Sequence, residues 1–173
     1  MTPERAAYHR LMLLVGETEE FERELDIALE TEDPITALIL DLAFCMSDLN
    51  QTVSVLYNYT LDYAIDDTLL RNMILDGMRK HYLEKTLSPE QIAELMYRMT
   101  CSVGDWFEPH WFDLCLPSYD YELVEEGLIS PETFHKAFDA YMLRGEALDV
   151  WALEKEHREK KKKSLPDFFK KRK

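Results

Sequence analysis

The chain has 173 residues, a length that fits one domain of ordinary size with a buried core. Hydrophobic residues make up 46% of the sequence, which excludes wholesale disorder, and only five glycines and seven prolines favour helix over sheet. The formal net charge of −14 is unevenly distributed, because residues 154–173 hold ten Lys/Arg against four Asp/Glu, whereas residues 1–153 hold ten against thirty. An acidic body repels nucleic acid and anionic membrane, and a basic segment attracts both.

The N-terminus and the cysteines favour a cytoplasmic protein. Residues 1–5 (MTPER) read as a helix start and not as a basic segment before an apolar run, so we expect no signal peptide. The chain contains no run of eighteen uncharged apolar residues, so no membrane span is expected. The three cysteines, Cys45, Cys101 and Cys115, are widely separated and odd in number, which is typical of a reducing compartment.

Four pairs of an oxygen-bearing residue and a proline predict helix starts. In each pair the first side chain can accept a hydrogen bond from an unpaired backbone N–H, and the proline occupies a position where a donor is not needed. The pairs are Thr2-Pro3, Asp33-Pro34, Ser88-Pro89 and Ser130-Pro131. With Gln91, the third pair also completes a capping box. Four such starts in a glycine-poor chain predict an all-α fold.

The spacing of apolar residues predicts one helix from residue 3 to about 30 and a second over residues 34–64. The second is apolar around most of its surface and is predicted to be the central buried helix. A period of seven residues places Leu42, Leu49 and Leu56 on its buried face. Asp41 and Asp48 lie two turns apart on the same helix and are expected on its exposed strip.

Further helices are predicted after Asp66, after Ser88, over residues 119–126, and from residue 130 through Trp151. Beyond Ala152 the apolar stripe stops, but three Glu-to-cation pairs at i,i+4 predict a solvated helical extension. We therefore predict a single-domain helical bundle of about five to seven helices. Its acidic domain covers residues 1–153, and a basic C-terminal extension covers residues 154–173. Removal of that extension is expected to leave the fold intact.

Residues 101–115 (CSVGDWFEPHWFDLC) combine two cysteines, a histidine and four large aromatic residues. Cys101, His110 and Cys115 lack the closely paired spacing of zinc ligands, so no metal is expected there. The aromatic residues are expected to pack against the helices, and any that stays exposed is a candidate for partner binding. They are Trp106, Phe107, Trp111 and Phe112.

Two Glu-x-x-His pairs, Glu132/His135 and Glu154/His157, have the spacing of di-iron ligands in helical bundles. Such sites need further glutamates in the core, whereas Glu132 falls in a first helical turn and Glu154 in the charged extension, so neither pair is expected to bind metal. The sequence also has no nucleophile–histidine–acid order, phosphate-binding glycine loop or dinucleotide fingerprint. We expect no cofactor and no catalytic residue.

The C-terminal residues KKKKSLPDFFKKRK place Leu165, Phe168 and Phe169 between two blocks of four cations. This pattern resembles the PIP box, the short peptide that binds the DNA sliding clamp of eukaryotes and archaea. The resemblance covers eight residues and implies that the leucine and both aromatics enter an apolar pocket on the clamp. In that motif a glutamine stands three residues before the leucine, where this chain has Lys162. The same three side chains could instead fold back as an apolar clasp, or anchor the chain to another partner or to a membrane.

The charge and the missing catalytic motifs together predict a non-catalytic acidic helical protein that binds another, basic protein. An inhibitor, an immunity-type protein or an adaptor has this character. One alternative is an accessory factor in DNA transactions, tethered to nucleic acid or a sliding clamp by the C-terminal tail. Another is a helical-bundle enzyme or metalloprotein.

Overall fold

The computed structural model describes residues 1–103 and 108–164, which form nine α-helices and no strand. The helices are α1 (Pro3–Val15), α2 (Glu19–Thr31), α3 (Ala37–Cys45), α4 (Leu49–Thr60), α5 (Asp67–Glu84), α6 (Pro89–Cys101), α7 (Pro109–Glu125), α8 (Pro131–Arg144) and α9 (Val150–Ser164). The all-α prediction is confirmed. The expected number of five to seven helices is too low, because three of the predicted helices are each interrupted once.

The chain divides into two compact units, and each contains residues from two stretches of the sequence. The first unit consists of Met1–Met78 with Leu95–Leu114. The second consists of Arg79–Glu94 with Cys115–Lys173. This division was not predicted from the sequence, because α5, α6 and α7 each begin in one unit and end in the other.

Three of the four predicted proline-containing helix starts are confirmed. Thr2 accepts a hydrogen bond from the backbone N–H of Arg5 at 3.2 Å. Ser88 and Gln91 form the predicted capping box, with N···O distances of 2.9 and 3.3 Å. Ser130 accepts from the N–H of Thr133 at 3.3 Å. These hydrogen bonds satisfy backbone donors that have no partner inside the helix.

The start predicted at Asp33-Pro34 is wrong, because α3 begins only at Ala37. Thr36 precedes that helix as its N-cap residue. The Glu32 carboxylate accepts hydrogen bonds from the backbone N–H and the hydroxyl of Thr36, at 3.2 and 3.1 Å. A side chain from the end of α2 therefore fixes the residue before α3, and the proline does not.

The predicted helix over residues 3–30 is interrupted at Gly16. This glycine has φ +94° and ends α1 in the left-handed conformation, which glycine adopts at low cost. Its N–H donates to the carbonyl of Leu13 at 3.1 Å, and the N–H of Glu17 donates to that of Met12 at 2.9 Å. The prediction of one continuous helix is therefore wrong, since the chain turns here and begins again as α2.

The predicted central helix over residues 34–64 is also two helices. Asp48 caps α4 by accepting a hydrogen bond from the N–H of Gln51 at 3.1 Å. The turn between α3 and α4 resets the helical phase, so the seven-residue period no longer identifies one face. Leu42 and Leu56 are buried as predicted, but Leu49 is 48% exposed and its predicted burial is wrong.

The core of the first unit lies where α1 and α3 pack against α4 and α2 packs against α3. The residues of this core are almost entirely apolar, and truncating one buried leucine typically costs about 2–5 kcal/mol. They are Ala6, Leu13, Phe21, Leu25, Ile39, Leu42 and Leu56. Gly77 of α5 gives room to Tyr8, because a Cβ at that position would lie 2.5 Å from the tyrosine hydroxyl.

The predicted final helix is interrupted as well. Gly145 ends α8 in the left-handed conformation, at φ +69°. The Asp149 carboxylate then accepts hydrogen bonds from the N–H groups of Trp151 and Ala152, at 2.9 and 3.1 Å, and so begins α9. The short helix predicted over residues 119–126 forms the end of the longer α7.

Candidate functional site

The aromatic residues predicted to bind a partner lie partly in the described residues. Trp111 is 1% exposed, in agreement with the packing alternative for this side chain. Phe112 is 42% exposed and remains the candidate for partner binding in this segment. Trp106 and Phe107 lie outside the described residues. So do Leu165, Phe168 and Phe169 of the C-terminal tail, and the side chain of His110.

His135 and Glu154, one from each of the two Glu-x-x-His pairs, have separate hydrogen-bond partners. His135 Nε2 lies 2.8 Å from Glu90 Oε1, and the hydrogen bonds of Glu154 go to other residues, as described below. Among the side chains that the structure describes, which do not include that of His110, no group of three or more His, Cys, Asp and Glu is placed to hold a metal ion. Across residues 1–103 and 108–164, no helix has both the length and the apolar character to cross a membrane.

A polar cluster joins α1 to α2 through Arg5, Tyr8, His9, Glu20 and Glu24. Arg5 pairs with both carboxylates, at 2.5 Å from Glu20 and, through Nε, at 2.8 Å from Glu24. The Tyr8 hydroxyl donates to Glu20 at 2.7 Å. His9 Nε2 lies 2.8 Å from Glu24 Oε2.

The pKa values in this cluster follow from burial and these hydrogen bonds. Burial lowers the pKa of the fully buried His9, and its hydrogen bond to Glu24 offsets only part of that effect. Burial acts to raise the pKa of Glu24, but hydrogen bonds from Arg5 and His9 outweigh it and hold the pKa below its usual range. Because both carboxylates are occupied by donors of the chain itself, the cluster fastens α1 to α2 and is not arranged as a reaction centre.

A second polar cluster, which we call the Glu154 corner, consists of Ser130, Thr133, Glu154 and Arg158. The Glu154 carboxylate, 5% exposed, accepts hydrogen bonds from the Ser130 N–H and hydroxyl, both at 2.9 Å, and from the Thr133 hydroxyl at 2.7 Å. Arg158 Nε donates to it at 2.6 Å. Burial acts to raise the pKa of Glu154, but these hydrogen bonds lower it to about 2. The carboxylate also lies at the positive N-terminal end of α8.

The Glu154 corner was missed by sequence reasoning. The pair Glu154–Arg158 was predicted correctly, but it was interpreted as part of a solvated extension. In the structure, α9 crosses the boundary that was predicted at residue 154. Glu154 holds this helix to the start of α8. Nothing in the local pattern around residue 154 distinguishes it from the exposed Glu156 and Glu159, because its partners lie more than twenty residues earlier.

The most unusual surface of the first unit is apolar and exposed. Phe44 is 87% exposed although it belongs to α3, and Leu40, one turn earlier, is exposed on the same face. Met46 and Leu49 extend this exposed stretch through the turn into α4. The exposed Asp41 and Asp48 lie beside them, in agreement with their predicted exposure. We call these six residues, Leu40, Asp41, Phe44, Met46, Asp48 and Leu49, the α3–α4 surface.

The neighbouring helix α2 is strongly acidic. Residues 17–33 hold nine Asp/Glu and one cation, Arg23. Four of the acids are exposed and follow one another at helical spacing along one side of the helix. They are Glu19, Glu22, Asp26 and Glu30. Like charges at this spacing repel one another, so a cationic surface placed against them would remove an unfavourable interaction.

Comparison of the chain with family models, curated proteins and solved structures gave no match. The function therefore has to be inferred from the exposed apolar residues and from the distribution of charge.

Proposed function

We propose that this chain is a non-catalytic acidic helical protein that binds a basic protein through the α3–α4 surface. An inhibitor, an immunity-type protein or an adaptor would act in this way. The observation that carries the proposal is the exposure of Phe44, at 87% of its surface, inside a regular helix. A single exposed apolar residue needs no explanation, but Leu40, Phe44, Met46 and Leu49 are exposed along one short stretch.

The composition of the α3–α4 surface is that of a protein interface. Aromatic residues and methionine are enriched at the centre of interfaces, and charged residues belong to the rim. Here Phe44 and Met46 would provide the central contacts, and Asp41 and Asp48 would lie at the edge. Exposed aromatic side chains that become buried on binding commonly contribute most of the binding energy.

The charge indicates the character of the partner. Residues 1–153 carry twenty more acids than bases, and α2, which packs on α3, holds a row of exposed carboxylates. Such a field accelerates association with a basic protein, and the acceleration weakens as salt screens it. We therefore expect a partner with a basic surface around an apolar pocket that accepts Phe44.

A capture experiment with matched variants tests the proposal. The chain is immobilised and exposed to an extract of its native host as wild type, as Phe44→Ser and as Leu83→Ser. Leu83 is an appropriate control because it is also exposed, at the end of α5, but lies outside the α3–α4 surface. We expect wild type and Leu83→Ser to retain the same basic protein, which rising salt releases, and Phe44→Ser to lose it. Equal retention by Phe44→Ser would contradict the proposal.

A further inference from the structure

The second unit contains a small cavity of about 70 Å³ that the proposed function does not use. It is lined by α7, by α8 and by the loop that follows α8. Most of its lining residues are apolar, among them Pro117, Phe134 and Phe138, but polar and apolar atoms share its accessible surface about equally. Ala147, in the loop, is exposed and therefore lies at the open side.

One carboxylate, that of Asp120, lines this cavity. In the described part of the chain it makes no hydrogen bond and no ion pair. Burial raises the pKa of Asp120 to about 6. Glu154, in the same unit, is more fully buried but has four donors, and its pKa is lowered instead. Asp120 is thus a carboxylate that has lost part of its hydration without gaining a donor from the protein, a costly arrangement.

We propose that this cavity binds a primary alkylammonium group, with the ammonium on the Asp120 carboxylate and the alkyl chain along Phe134 and Phe138. The ammonium would supply the missing positive partner and hydrogen-bond donors. The apolar residues of the lining suit methylene groups. A guanidinium fits less well, because it has five donors and the cavity lining offers one carboxylate.

Two kinds of ligand carry a primary alkylammonium group: a free aliphatic amine and the lysine side chain of another protein. The excess of acids in the chain attracts either of them. The cavity belongs to the second unit and the α3–α4 surface to the first, so this inference goes beyond the proposed function and stands without it.

Titration of the full chain with n-butylammonium and with Nα-acetyl-lysine amide, followed by NMR, tests the proposal. We expect saturable shifts of the Ala137 and Ala147 methyl signals, and at least tenfold weaker binding in Asp120→Asn. Glu122→Gln is the matched control, because it removes one exposed charge from the same helix and should change binding less than twofold. Similar binding of both probes assigns the cavity to free amines, and a preference for the lysine derivative assigns it to a protein side chain.

The pH dependence distinguishes an ammonium from a neutral ligand. An ammonium requires ionised Asp120, so its affinity should fall as the pH is lowered through about 6. The other ionisable side chain that lines the cavity is that of Tyr141. No saturable shift with either probe, equal binding by Asp120→Asn, or stronger binding at pH 5 than at pH 7 would overturn the proposal.

Discussion

The Glu154 corner and the α3–α4 surface deviate from the usual distribution of residues in opposite ways. In the corner, a carboxylate is buried and accepts hydrogen bonds from Ser130, Thr133 and Arg158. On the surface, a phenylalanine and three aliphatic side chains are exposed. A buried polar group that is fully satisfied contributes to stability, whereas a group of exposed apolar side chains contributes little to it. The Glu154 corner therefore fastens α9 to the start of α8, and the α3–α4 surface is where we propose that a partner binds.

The largest expected effect is a difference in the free energy of unfolding between two variants of α4, one at a buried leucine and one at an exposed leucine. We expect Leu56→Ala to lower the free energy of unfolding by about 2–5 kcal/mol, because the side chain is completely buried. Leu49→Ala is the matched control on the same helix and should lower it by less than about 1 kcal/mol, since Leu49 is half exposed. Urea denaturation followed by circular dichroism measures both. A loss at Leu49 as large as that at Leu56 would show that the α3–α4 surface is part of the core.

A smaller loss is expected in the Glu154 corner. Replacing Glu154 by alanine leaves the donors of Ser130 and Thr133 without their acceptor, which should cost about 2 kcal/mol. Removal of residues 154–173 should cost at least as much, in contrast to the expectation from sequence that this removal is harmless. The control is removal of residues 165–173, which keeps every donor to Glu154. If that shorter removal destabilises the chain equally, Leu165, Phe168 and Phe169 act as an apolar clasp.

The pH dependence of stability should reveal the same carboxylate. The pKa of Glu154 is about 2 in the folded chain and near 4.5 when unfolded, so the unfolded state takes up the proton first as the pH falls. The stabilisation is complete above about pH 4.5 and decreases between pH 4.5 and 2. Glu154→Gln should flatten the acid side of the stability curve, and Glu156→Gln, an exposed acid on the same helix, should not. Parallel curves for wild type and Glu154→Gln would contradict this account.

The parts of the fold that sequence predicted depend on local interactions. Capping at Thr2, Ser88 and Ser130 involves side chains and backbone groups three residues apart, so residue type and spacing were sufficient. The interruptions at Gly16 and Gly145 are local too, but a single glycine within a continuing apolar stripe is compatible with both a helix and a helix end. Asp48 was equally ambiguous, because an aspartate can be an exposed helical residue or an N-cap.

The candidate sites depend on contacts between distant residues, and these were not predictable. The exposure of Leu49 follows from the turn before Asp48, since that turn ends the helix to which the seven-residue period applied. Asp120 occupies an ordinary position in α7, and only the packing of α8 beside it creates the cavity. Pro117, three residues earlier, lies inside the same helix and has no backbone N–H to donate.

The central claim, that a partner covers the α3–α4 surface, is tested most directly by hydroxyl-radical labelling of Phe44 and Met46. The labelling is compared between the purified chain and the complex isolated from the native host. We predict strong labelling of both residues in the purified chain and severalfold weaker labelling in the complex. The exposed Leu83 and Trp151 should be labelled equally in both samples. Labelling of Phe44 and Met46 that is unchanged in the complex would contradict the claim, because the partner would then bind elsewhere.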